Sequence, residues 1–191
     1  MSEDFSSYGI GNTFNSASWA ELSGGIMPGW TVREATKALD VDSPGDIVYT
    51  GAGASSWTNY SFTFNFKVDN TARIASAIFR FIGGAEPGLS YYFVNIQGGN
   101  TLTLAKAPSD SSGSMVLDTA TISYLADTYY PVRIVVNGNN IKVYFNGSAT
   151  ADIDKTDDGA TFGALQPAGS IGLGSPSTLH IFFDDIVVTA I

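Results

Sequence analysis

Between Tyr130 and Gly147 the chain reads YPVRIVVNGNNIKVYFNG, and this stretch constrains the fold more than any other. Val132, Ile134 and Val136 alternate with Arg133 and Val135, the period of two that marks a strand with one apolar face. Asn137-Gly138-Asn139-Asn140 then supplies residues that tolerate positive φ and close hairpins. Ile141, Val143 and Phe145 alternate in turn with Lys142, Tyr144 and Asn146, and a second Asn-Gly turns the chain again. A two-stranded ribbon is marginal alone, so it needs a sheet beside it and another layer beneath it.

The remaining chain supplies strands for both. Tyr60, Phe62, Phe64, Phe66 and Val68 alternate with Ser61, Thr63, Asn65 and Lys67, the strongest strand signal present. Next, Ala77, Phe79 and Phe81 fall on one side of Ala75–Ile82, with Ile78 and Arg80 on the other. Shorter strands are predicted at Trp30–Val32, Ala38–Val41, Ile47–Thr50, Tyr91–Gln97, Thr101–Lys106, Met115–Leu117, Thr121–Tyr124, Ala149–Ile153, Ser170–Leu173 and His180–Thr189. Turns fall at Ser43–Asp46, Gly83–Gly88, Gly98–Asn100 and Asp110–Gly113, and Asp154–Gly163 reads as a polar loop. Ala35–Leu39 and Ile122–Ala126 are long enough only for single helical turns. Without a sustained 3.6-residue period, the pattern predicts an all-β antiparallel sandwich. At 191 residues it is expected to form one domain, 1–191.

Charge narrows the function. A formal charge of −9 leaves no basic stripe to neutralise phosphates, which argues against nucleic acid and anionic membranes. There is no cysteine, so thiol catalysis and Cys-bound metal are out. No stretch reaches the ~20 apolar residues of a bilayer span, so membrane insertion is not expected. Met1-Ser2-Glu3-Asp4-Phe5 has neither a basic nor an apolar run, so no signal peptide is read here. The abundance of Ser, Thr, Gly and Asn with little Lys leads us to expect an extracellular or cell-surface module of a larger secreted protein.

In chain order, Glu3-Asp4-Phe5, Trp30-Thr31-Val32, the Tyr60 strand, Ala77–Phe81, Tyr91–Val94, Leu102–Lys106, the two Asn-Gly strands, Gly169–Leu173 and Phe183–Val188 form one pattern. It resembles the concanavalin A-like lectin/glucanase superfamily, and within it laminin-G-like carbohydrate-binding modules and 3-keto-disaccharide hydrolase-type domains. The resemblance implies a β-jelly roll of two curved sheets and a carbohydrate partner. Because the superfamily spans lectins, hydrolases, lyases and adhesion modules, fold alone does not choose among them.

The resemblance also says what a hydrolase of this family would carry: Glu-x-Asp-x-x-Glu or Glu-x-Asp-x-Glu on one strand. The chain has four glutamates, Glu3, Glu21, Glu34 and Glu86, and none forms that motif. A retaining pair needs two carboxyls about 5–5.5 Å apart, and the sequence offers no such couple. His180, flanked by Leu179 and Ile181, reads as a strand-end structural residue. The expectation is therefore a non-catalytic domain that binds a polysaccharide or oligosaccharide on the concave face or adjoining loops. The alternatives are a lyase or keto-sugar hydrolase, and a structural or adhesion module.

Sugar binding asks for aromatic faces and a few planar polar groups. Trp57, in a Ser-rich loop, is the best candidate platform. Arg80 is expected on the outer side of its strand, with Tyr91, Tyr92, Asn95, Lys106 and Tyr144 completing the candidates, although the tyrosines also read as ordinary core or rim residues. By resemblance, pairing of the first and last strands would bring Glu3 and Asp4 to Asp184 and Asp185, where a structural calcium is expected. An Asp capping loop amides fits that last pair equally well. The acidic run Asp152–Gly159 has Asp157 where an EF-hand needs Gly, so it reads as a solvated loop.

Overall fold

The structure is a computed structural model, and it describes residues 1–14, 16–22, 30–33, 37–41, 44–83, 90–107, 113–176 and 180–191. Among these residues run β1 (Ser2–Glu3), β2 (Trp19–Glu21), β3 (Trp30–Arg33), β4 (Ala38–Val41), β5 (Gly45–Tyr49), β6 (Tyr60–Val68), β7 (Ile74–Ile82) and β8 (Ser90–Gln97). They continue with β9 (Thr101–Ala107), β10 (Met115–Thr121), β11 (Tyr130–Asn137), β12 (Asn140–Phe145), β13 (Ile153–Thr156), β14 (Ser170–Ser175) and β15 (Ile181–Ala190). One 3₁₀ turn at Ala54–Ser56 is the only helical element described. The strands form two antiparallel sheets. The first has the order β13-β12-β11-β6-β15-β4-β3, with β1 also on β15; the second has β10-β9-β8-β7-β14-β5-β2.

Alternation explains the layering. On β6 the five apolar residues are all buried, while Ser61, Thr63, Asn65 and Lys67 stay half-exposed on the outer face. The Tyr130–Gly147 ribbon sits beside β6, pairing Val132 with Phe64 and Ile134 with Phe62. Its turn is the two-residue Gly138-Asn139, with Asn137 opposite Asn140 and Gly138 at φ 55°. The inward faces of both sheets meet in one core rich in aromatics, where Phe66, Tyr124, Tyr130 and Phe145 pack ring against ring.

Among the described residues three places break the alternation: one in β10, between Val116 and Asp118, and two that bear on the site, in β7 and β15. In β7 the register on β8 slips between Phe79 and Ile82, and Arg80 sits at φ 51°. A β-bulge of this kind flips the residues that follow. Phe79 and Arg80 both point inward, and Phe81 turns outward to join Ile78 and Val48, which reverses the faces expected for Arg80 and Phe81. Gly169 lies against this bulge at φ 144°, where a Cβ would overlap the Arg80 backbone. In β15 the register slips between Asp184 and Val187, with Asp185 at φ 52°, so Phe183 and Ile186 both face the core and the two aspartates both stay outside.

Other boundaries move modestly. The predicted strand at Ala149–Ile153 is found at Ile153–Thr156, inside the expected polar loop, because it pairs with β12. The strand expected at Thr121–Tyr124 is instead the end of β10, which runs on to Thr121 before an irregular segment. Ser43, Pro28-Gly29, most of the Gly83–Gly88 loop, part of Asp110–Gly113, Glu34, Glu86 and the first part of the Ala35–Leu39 turn lie outside the described residues.

Candidate functional site

The expected ligand residues separate into four places. Tyr91 and Asn95 alternate onto the outer face of β8 with Phe93 between them, and they line a groove of about 260 Å³ across the second sheet. Ser76 on β7 stands opposite Asn95, and its hydroxyl donates to Asn95 Oδ1 at 2.7 Å. Ile78 lies beside Phe93, and Asp46 of β5 closes the far side. Between them β14 contributes Gly172 and Gly174. A Cβ on Gly172 would sit 2.5 Å from Ile47 O, and one on Gly174 would overlap the Asp46 carboxylate. The missing side chain of Gly174 therefore leaves the room that the Asp46 carboxyl occupies.

Asp46 is the unusual group here. Burial pushes its pKa up to about 6, because desolvation disfavours the charged form. Among the described residues none donates a hydrogen bond to its carboxylate, although its backbone carbonyl accepts one from Leu22 N–H. A carboxyl with free lone pairs, facing a groove beside two aromatic rings, is built to meet something from outside.

Arg80, Tyr92 and Lys106 are not on that face. Arg80 is 1% exposed; its Nη1 donates to Gln166 O at 3.2 Å, and its Nη2 to Thr58 O at 2.9 Å and Gly138 O at 2.6 Å. Its backbone N–H donates to Tyr60 Oη at 2.9 Å, so it clamps three loops at one end of the sandwich. Lys106 is fully buried, its Nζ 2.8 Å from Asp157 Oδ2 and 3.2 Å from Gly163 O. Tyr92 donates to the same carboxylate at 2.6 Å and stacks on Phe79. Burial alone would raise the Asp157 carboxyl, but donation from Lys106, Tyr92 and the Gly159 amide holds it below the usual range. The acidic run thus carries one buried aspartate rather than a wholly solvated loop, while Asp158 caps the Ala160 and Thr161 amides.

Trp57 is half-buried, one face stacked on Tyr49 with centroids 5.7 Å apart, and it lines a separate hollow with Thr58, Asn59 and Val188. Tyr144 lies on the outer face of the first sheet, under the Arg133 guanidinium. Glu3 pairs in register with Ile186, which brings the first and last strands together. The four acids considered for calcium each accept a local hydrogen bond: Glu3 from the Phe5 amide, Asp4 from Ser6, Asp184 from Asp185 and Asp185 from Asn65. Among the described residues no three metal-ligating side chains converge. His180 directs Nδ1 at the buried Asp40 carboxylate, 2.9 Å away, as a strand-end residue would.

The family described as 3-keto-alpha-glucoside-1,2-lyase-like domain matches residues 12–189. The chain belongs to that family. No curated protein matches it. Among solved structures, the carbohydrate-binding module CBM66 from Bacillus subtilis superposes with a TM-score of 0.68 at 15% identity, covering 92% of this chain and 98% of that one. The Bacillus licheniformis beta-glucanase gives 0.64 at 14% identity over 100% and 98%, and the Caenorhabditis elegans galectin LEC-6 gives 0.54 at 10% over 78% and 95%. These likenesses establish the concanavalin A-like jelly roll for this family member.

Sequence reasoning missed Asp46, Phe93 and Ser76. Ser43–Asp46 reads as a turn, yet Asp46 lies in β5 next to the core residue Ile47, so parity places its side chain on the outer face. Phe93 and Ser76 share parity with Asn95 across a strand pair, a signal available only once β7 and β8 are set in register.

Proposed function

We propose that the domain binds a neutral glycan in the groove of the second sheet, as the saccharide-recognising part of a secreted protein. One observation carries this: Tyr91 and Phe93 offer apolar faces beside an unpaired Asp46 carboxyl and the Asn95–Ser76 pair, over a glycine floor. Sugar rings present C–H faces to aromatics and hydroxyls to planar polar groups, so this set meets both needs. At about 260 Å³ the groove takes part of a chain laid across it. Binding is favoured over cutting because Asp46 is the single carboxyl among its described lining residues, and glycoside hydrolysis uses two.

Affinity electrophoresis in gels containing neutral polysaccharides tests the reading. Retardation should appear on at least one glycan, and Tyr91→Ala or Asn95→Ala should weaken it about tenfold. Unchanged mobility on every glycan would remove the proposal. A second reading, elimination or hydrolysis of a keto-sugar, is favoured by the family match together with the Asp46 carboxyl near pKa 6, a value suited to proton transfer. Product formation from a 3-keto-glucoside, lost in Asp46→Asn, would promote it. The calcium proposed for Glu3, Asp4, Asp184 and Asp185 has its own check: a melting temperature unmoved by a chelator dismisses it.

A further inference from the structure

The opposite face of the sandwich carries a second groove, of about 470 Å³, inside the range of small-molecule sites. The bulge in β15 opens it: between Asp184 and Val187 the ladder with β6 is interrupted, and Asp185 turns out at φ 52° beside Asn65. Asn65 Nδ2 donates to Asp185 Oδ2 at 2.8 Å, which fixes both side chains on one wall. On the other wall the Arg133 guanidinium carbon lies over the Tyr144 ring, 3.6 Å from its centroid.

Arg133 differs from the other arginines. Arg73 and Arg33 meet carboxylates and Arg80 is spent on carbonyls, whereas Arg133 rests on a ring. Lys67 and Lys155 also lie over rings, but an ammonium has no planar fork to offer a carboxylate. Among the described residues none accepts a hydrogen bond from the Arg133 guanidinium, and Asp185 across the groove is not within ion-pair distance. A guanidinium already held over a ring has little freedom left to lose on binding, and its planar fork matches a carboxylate through two parallel bonds.

We propose that this groove is a second binding site, specific for a saccharide that carries a carboxylate. The uronate carboxylate takes the Arg133 fork, and ring hydroxyls on its far side donate to the remaining lone pairs of Asp185 and reach Thr63. The site is independent of the groove on the second sheet, since the two lie on opposite outer faces. The domain is then bivalent, one face for neutral and one for acidic sugar.

The test is a titration of the full ¹⁵N-labelled chain with trigalacturonate, with cellotriose as neutral control, followed by amide shifts. Trigalacturonate should move Thr63, Asn65, Arg133 and Tyr144, with affinity falling as salt is raised. Arg133→Met should weaken it at least tenfold, Arg133→Lys should lie between, and Tyr91→Ala should leave it unchanged. No shifts at these amides, shifts confined to Tyr91 and Asn95, or full affinity in Arg133→Met would each overturn the site. Equal affinity in Arg133→Lys would overturn the forked contact, and a response to sulfated but not carboxylated sugar would overturn the ligand class. Loss of neutral-glycan binding alone would count against the other groove and leave this one standing.

Discussion

Lys106 and Asp157 are a pair of opposite charges from which water is excluded, tied further by Tyr92. Removing one partner of such a pair strands the other, which costs about 3–5 kcal/mol, whereas replacing both with apolar residues is nearly neutral. Lys106→Met should therefore destabilise the domain by that amount in urea denaturation, and adding Asp157→Leu should recover most of it. Asp46 behaves in the opposite sense. Its pKa is about 6 in the folded chain against 3.8 when exposed, so the folded state holds the extra proton between those values. Its contribution is intact below pH 3.8 and is lost as pH rises to about 6. Asp46→Asn should accordingly stabilise the protein at pH 7, by on the order of 2–3 kcal/mol, and flatten the profile in that window. A melting temperature at pH 7 that falls in this variant would contradict the assignment.

At the level of elements, the Tyr130–Gly147 ribbon was legible because every cue agreed: period two on both arms and a turn residue at each required position. Gly138→Ala places a Cβ at φ 55° and should cost about 1 kcal/mol, read as a lower denaturation midpoint with unchanged slope. Strand faces failed to follow from parity only at the bulges. Arg80 is a non-glycine residue in a left-handed conformation, and nothing in Ala77–Phe81 announces it; Gly169 and Tyr60, distant in sequence, make the room and the hydrogen bond. Lys106 is a different case. It shares parity with Leu102 and Leu104 and so belonged inside, but a buried lysine is credible only once Asp157, fifty-one residues on, is seen to meet it.

For the whole molecule, a ligand held only by the folded sandwich must stabilise it by mass action. Saturation at one hundred times the dissociation constant is worth about 2.7 kcal/mol, or a rise of about 5–10 °C in melting temperature at this size. A neutral glycan that binds yet leaves the melting temperature unmoved would be binding the unfolded chain equally well, and so not recognising the groove.

Alternating side chains, Asn-Gly turns and the lack of any helical period determined a two-layered antiparallel sandwich from the chain alone, since burial of one face per strand is a local property of spacing. The likeness to sugar-binding jelly rolls was equally readable, because it rests on landmarks in order. Which residues stand together was decided by the tertiary structure. Two bulges and the cross-strand registers sent Arg80 inward, kept Asp184 and Asp185 outside, and set Asp46 beside Tyr91 and Asn95, since a one-residue slip reverses a face and no spacing along one strand records its neighbour's register.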